Sequence, residues 1–270
     1  MDIFTAVILG FLQGVMEFLP ISSKGHLILA NEILPIEGVD KLALMIAFYL
    51  STALAMILYF WNDIWVLIQT LMRKMGKLPV NDKDLILLYS LAVATIPAIF
   101  IGLVLESVID KYLANVLMVA VMLIISASLL IYAEWKYYTN PPSGEINIKK
   151  GFKIGLFQVL SLIPGFSRTG ATVAGGMLLG LSRYESTRFS FLLAIPIILG
   201  LGIKNFLDLI VENGEVVWLP VIIGSIVSFI VALITVHLFL VFIRKYTLWP
   251  FIWYSIILSL LTFYYLFFVQ

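Results

Sequence analysis

Two short stretches hold most of the side chains in this sequence whose types and spacing fit chemistry. In the first, Gln13 and Glu17 lie four residues apart, so they share one face of a helix. That helix is otherwise apolar, and an ionisable residue there is costly unless paired or wet, which makes Glu17 a functional candidate. A structural hydrogen bond to a neighbouring helix is the alternative. A break at Pro20-Ile21-Ser22-Ser23-Lys24-Gly25-His26 follows. Serines at a helix start cap free backbone N–H groups, and the same geometry binds anions. His26 comes three residues after Ser23, on the same side of the new helix.

The second stretch is Pro164-Gly165-Phe166-Ser167-Arg168-Thr169-Gly170-Ala171-Thr172. Ser167 is the expected cap, and Thr172 sits one turn beyond Arg168. Arginine presents a planar fork that matches phosphate oxygens, so Arg168 at a Gly-rich helix start reads as a phosphate clamp. Snorkelling toward lipid headgroups is its alternative. Brought together, Glu17, Ser23, His26, Ser167, Arg168 and Thr172 would surround one polar pocket suited to phosphoryl transfer. Glu17 with Gln13 could also hold Mg2+ or Ca2+ through oxygen ligands. Zinc is not expected, because the chain has two histidines and no cysteine, and His237 stands alone in an apolar stretch. His237 is read as a hydrogen-bonded interhelical residue.

The elements that must position these residues are set by composition. The chain has 270 residues, of which 62% are hydrophobic and 12% charged. Soluble domains have about 25% charged residues, so the solvent here must be a bilayer. A net charge of +1 leaves no basic patch and no case for nucleic acid. The N-terminus lacks a basic region and is not read as a cleaved signal peptide.

Six stretches, about 42–60, 85–105, 116–133, 189–209, 217–242 and 248–269, are long and apolar enough to cross a bilayer. Two more, 4–34 and 151–181, are interrupted by the Pro/Gly breaks, and each half is too short to span comfortably. They are expected to be re-entrant hairpins, since broken backbone at membrane depth must be buried in protein or line a cavity. A kinked spanning helix is the alternative.

The two broken stretches echo each other: Gln13 precedes Pro20 by seven residues and Gln158 precedes Pro164 by six, and Ser23-Lys24 parallels Ser167-Arg168. The predicted fold is therefore an all-α polytopic membrane protein, with six transmembrane helices plus two re-entrant helical hairpins in an inverted repeat. It forms a single membrane domain over 1–270, with repeats at about 1–135 and 149–270. Most basic residues, including Arg73, Lys83, Lys149, Arg183 and Arg244, fall on one side of this topology, while Lys41, Lys111 and Lys204 fall on the other. The positive-inside rule then puts the N- and C-termini and the mouth of the first hairpin outside.

On these motifs the sequence resembles the undecaprenyl-diphosphate phosphatase (bacitracin-resistance protein) family, over nearly its whole length. The resemblance rests on Gln13 and Glu17 running into Phe18-Leu19-Pro20-Ile21-Ser22-Ser23-Lys24-Gly25-His26. It rests also on the Pro164 to Thr172 motif, Gly175-Gly176-Met177, Ser182-Arg183-Tyr184 and Phe189-Ser190-Phe191. Gln13 stands where many members have glutamate.

The resemblance implies a cell-membrane enzyme that hydrolyses a polyprenyl diphosphate to the monophosphate, recycling a lipid carrier for cell-envelope glycan synthesis, with a divalent cation. Glu17, Ser23, His26 and Arg168 would be catalytic. Ser22, Ser167, Thr172, Gly165 and Gly170 would contact substrate, with Glu17 and Gln13 at the metal. The expected partners are the lipid substrate and the bilayer, with a homodimer left open. A flippase for polyprenyl phosphate is the competing function, because broken helices in inverted repeats serve transport as readily.

Overall fold

The computed structural model describes residues 2–33, 38–211 and 216–268. Leu34 and Val269, ends of two expected segments, lie outside the described residues, as does the side chain of Lys41. The described residues form helices and their connections, with no strand among them.

Among the described residues, six helices are long and apolar enough to cross a membrane: α3 (Gly38–Tyr59), α5 (Asp82–Val108), α6 (Val116–Thr139), α9 (Arg183–Val211), α10 (Trp218–Ile243) and α11 (Trp249–Phe268). The chain is a multi-pass membrane protein. The predicted crossings coincide with these six, with shifted ends. α9 starts at Arg183 rather than 189 because a capping box sets its N-terminus. In that box, Glu185 N–H donates to Ser182 Oγ at 3.1 Å, and Ser182 N–H donates to Glu185 Oε2 at 3.1 Å. An apolarity scan cannot see such a start.

The other α-helices are α1 (Ile3–Met16), α2 (Ser23–Ile33), α4 (Trp61–Met75), α7 (Ile148–Val159) and α8 (Arg168–Leu178). α7 continues into a 3-10 turn, Leu160–Leu162, and α5 into a π-helical turn, Ile109–Leu113. The sequence reading did not anticipate α4. It is amphipathic, with Trp61, Trp65 and Met72 exposed and Arg73 and Lys74 in its last turn, where cations suit the helix dipole.

The broken stretches form the pairs α1–α2 and α7–α8, and each pair packs on a helix from the other half of the chain. α1 lies against α10, with Gly14 facing the backbone of Ser228, and α7 lies against α5, with Gly151 facing the backbone of Ser90. A Cβ on Gly14 would sit 2.7 Å from the Ser228 carbonyl oxygen, and one on Gly151 would sit 2.6 Å from that of Ser90. Small residues at these contacts let backbones approach where lipid offers no hydrophobic drive to associate.

The core gathers around Phe191 of α9, which meets Phe18, Phe60 and Phe239 edge-on or tilted at 5.6, 6.3 and 6.0 Å. Phe18, immediately after Glu17, is fully buried there and anchors the first break to α9. At the start of α9, Arg183 forks onto the buried Glu134 of α6, which also accepts from the Leu248 N–H at 2.8 Å. His237 pairs through Nδ1 with Tyr59 of α3 at 3.2 Å, the interhelical hydrogen bond expected of it.

Candidate active site

The first tip is built around one carboxylate. Glu17 caps the end of α1 and stays within reach of the next helix. Its Oε2 accepts from Gln13 Nε2 at 3.0 Å and from the Ser23 hydroxyl at 2.7 Å. The turn between them puts Ser22 at φ +70°, a conformation costing a non-glycine residue about 1–2 kcal/mol. Two contacts hold it: Ser22 Oγ accepts from Gly25 N–H at 3.3 Å, and His26 Nδ1–H donates to the Ser22 carbonyl at 2.7 Å. A carbonyl only accepts, so this bond fixes the proton on Nδ1, and Nε2 takes the Tyr254 hydroxyl at 2.8 Å.

At the second tip Gly165 turns the chain at φ +94°, and Ser167 caps α8 by accepting from Gly170 N–H at 3.0 Å. The tips touch, since a Cβ on Gly25 would lie 3.1 Å from Gly165 Cα. Arg168 crosses this seam. Its Nη2 forms an ion pair with Glu17 Oε1 at 3.1 Å and donates to the Glu17 carbonyl at 3.3 Å. Its Nε and Nη1 are buried without a hydrogen-bond partner. Buried donors are almost always satisfied, so two unpartnered donor nitrogens on one cation suit an anion.

These groups form the polar end of a cavity of about 330 Å³, within the size range of small-molecule sites. Glu17, Ser22, Ser23, Lys24 and Arg168 line one part of it. Ala98, Ile99, Gly102 and Leu103 of α5, Leu162, and Pro196, Ile197, Ile198, Gly200 and Leu201 of α9 supply most of its apolar lining. The shape therefore suits an amphipathic ligand with an anionic head and a hydrocarbon tail.

Comparison with known proteins bears directly on this arrangement. Residues 6–261 match the family model of the bacitracin resistance protein BacA. The chain belongs to that family. Among its curated relatives are an undecaprenyl-diphosphatase of Saccharophagus degradans, 39% identical over 260 residues, covering 96% of both chains. The undecaprenyl-diphosphatase of Marinobacter nauticus is 35% identical over 259 residues, covering 96% of this chain and 97% of the relative. That of Psychrobacter cryohalolentis is 37% identical over 264 residues, covering 95% and 92%.

The residues read from the BacA-like motifs divide in two. Glu17, Ser22, Ser23 and Arg168 meet at the cavity wall. His26, Ser167, Thr172, Gly165, Gly170 and Gln13 are not in that wall. His26 faces Tyr254 of α11, stacked at 5.6 Å. Thr172 donates to the Arg168 carbonyl at 2.9 Å and meets Ser190 Oγ at 2.6 Å. Ser167 is spent on its cap. These residues shape the tips from behind. Tyr49, Gln158, Ser161 and Lys204 line the cavity and were not read as site residues. Only Gln158 carried a signal, its echo of Gln13.

A divalent cation would find few protein ligands. No group of three or more His, Asp or Glu is placed to hold a metal among the described residues. Gln13 does present a buried Oε1 with no partner beside the Glu17 carboxylate. The amide presents Nε2 to Glu17, so the two oxygens would meet at one hard cation only after the amide turns, with most of the shell coming from water and phosphate.

Proposed function

We propose that this chain is a membrane phosphatase that hydrolyses undecaprenyl or a similar polyprenyl diphosphate to the monophosphate and inorganic phosphate, recycling a lipid carrier. The observation that carries the reading is the cavity itself, where Glu17, Ser23 and the open face of Arg168 meet at the head of an apolar chamber inside a bundle of six spanning helices. The names of the relatives favour this enzyme over a flippase.

The chemistry follows from the contacts. Ser23 Oγ–H is held by a carboxylate at 2.7 Å, the pairing of a nucleophile with its base. Ser23 Oγ attacks the terminal phosphorus while Glu17 takes its proton. The P–O bond to the bridging oxygen breaks and the lipid monophosphate leaves. Water then hydrolyses the phosphoserine. Arg168 Nε and Nη1 hold the phosphate oxygens as charge shifts onto the leaving group. A divalent cation bound by Glu17, Gln13 and the diphosphate would neutralise charge on the substrate.

The exchanged packing of α1–α2 on α10 and of α7–α8 on α5 supports two inverted halves with re-entrant hairpins. Support for an outward mouth comes from the lining. Leu103 and Ile109 near the end of α5, and Lys204 near the end of α9, lie at the ends opposite Lys83 and Arg183. The positive-inside rule makes Lys83 and Arg183 cytoplasmic.

The deciding experiment measures phosphate release from farnesyl and undecaprenyl diphosphate by purified protein, with and without chelator. Release that chelator suppresses is expected. Movement of polyprenyl phosphate across sealed vesicles without phosphate release would establish the flippase instead. The chain has no cysteine, so Lys204→Cys can be probed in intact cells with an impermeant thiol reagent. Labelling from outside is expected, and labelling only after lysis would reverse the orientation.

A further inference from the structure

Gln158 has an unusual position that the mechanism above does not use. It is 1% exposed, near the end of α7, and it lines the cavity. Both of its amide atoms, Nε2 and Oε1, are buried without a hydrogen-bond partner. Gln13, its counterpart on α1, spends Nε2 on Glu17. Leaving a buried amide unpaired destabilises a protein, and such groups in native structures call for a missing partner. A leucine or methionine would fill the same space in an apolar wall without that penalty. Ser161, one turn on, also lines the cavity, but its hydroxyl is already donated to the Gln158 carbonyl at 2.7 Å. Two of the residues that line this chamber, Gln158 and Arg168, thus carry buried polar atoms without a partner: three donor atoms and one acceptor.

We propose that Gln158 is a substrate-binding residue of this cavity, whose side-chain amide donates from Nε2 to a phosphate oxygen and accepts on Oε1 from a P–OH or a phosphate-bound water. A diphosphate head offers both complements, many acceptor oxygens and a protonated or hydrated one. Arg168 meets it from the tip, and Gln158 meets it from the wall beside the apolar part of the cavity. The identity of the ligand as a diphosphate lipid rests on the phosphatase reading, whereas the need for a polar ligand rests on the unpaired amide alone.

The test uses full-length protein purified in detergent, as wild type, Gln158→Met and Gln158→Leu. Thermal melting is recorded without ligand and with inorganic pyrophosphate as probe, and kinetics are measured with farnesyl diphosphate. Both variants are expected to melt at or above the wild type without ligand, because the unpaired amide is gone. The rise in melting temperature caused by pyrophosphate is expected to shrink by at least half. KM is expected to rise about tenfold or more, the loss for a hydrogen bond to a charged group.

A merely structural glutamine gives the opposite sign in the first measurement, so lower melting of both variants overturns the proposal. So does an unchanged KM with an unchanged pyrophosphate shift while wild type releases phosphate, and the phosphatase reading then stands. If wild type releases no phosphate but its pyrophosphate shift disappears in the variants, the phosphatase reading fails and Gln158 stands as an anion contact. No shift and no release in wild type overturns both.

Discussion

The two hairpin tips are built to one plan and finished differently. The first closes on itself but for Gln13 Oε1: Glu17 holds Gln13 Nε2 and Ser23, and Ser22 and His26 bond within the turn. The second is left open. Arg168 has two unpartnered donors and Gln158 an unpartnered amide. A closed set of bonds fixes a hydroxyl against its base before substrate arrives, which preorganises a reacting group. An open set of donors is completed only by the ligand. Under the proposed mechanism this difference would give bond making to the first tip and phosphate holding to the second.

Kinetics can break that assignment. Ser23→Ala is expected to lower kcat by about 10⁴-fold or more with KM nearly unchanged, because a nucleophile acts after binding. Arg168→Ala is expected to lower kcat/KM by about a thousandfold and to raise KM, since its donors serve bound substrate and transition state alike. Steady-state phosphate release separates the two. Were Ser23→Ala to raise KM with kcat intact, the first tip would be a binding element and the contrast would collapse.

What could be read from the sequence follows the same divide. Membrane spans were legible because about 20 apolar residues in a row have few other uses. Glu17 and Arg168 were legible because charge within an apolar pattern is expensive. The inward face of Gln158 was not, since an amide is cheap enough to point either way. Ser167 was legible as a cap from its place before the helix. The role of Thr172 was obscured by competition, because hydroxyls near a helix start bond to backbone as readily as to ligand. Spacing placed Thr172 by the tip but could not say that the Arg168 carbonyl had claimed it. α4 escaped because its signal is a 3.6-residue period with charged ends, too short and too polar to register as a span.

Backbone strain at the tips gives a smaller effect with opposite signs. Gly165 combines φ +94° with a Cβ position 2.6 Å from the Val119 carbonyl oxygen. Gly165→Ala should cost about 2–4 kcal/mol and shift Arg168 with the turn. Ser22, at φ +70°, stands where glycine would be easier. Ser22→Gly removes that strain and one long cap bond, so stability should stay within about 1 kcal/mol of wild type. Chemical denaturation of both variants in detergent checks the pair. Equal losses would show that the two turns are held by packing rather than by backbone conformation.

The smallest expected effect concerns His26, which sits at the reactive tip yet faces away from the cavity. Its Nδ1–H braces the Ser22 carbonyl and its Nε2 is occupied by Tyr254. A histidine so bonded supports the turn that presents Ser23. Tyr254→Phe leaves the brace in place and removes one hydrogen bond at the back of the ring. The cost should be about 1 kcal/mol of stability, with kcat lowered no more than about fivefold and its pH profile unmoved. A loss of about a hundredfold together with a displaced pH profile would instead make the His26–Tyr254 pair a proton path. The reactive half of the site would then extend through the back of the first tip to α11, and closure of that tip would no longer describe a finished set of bonds.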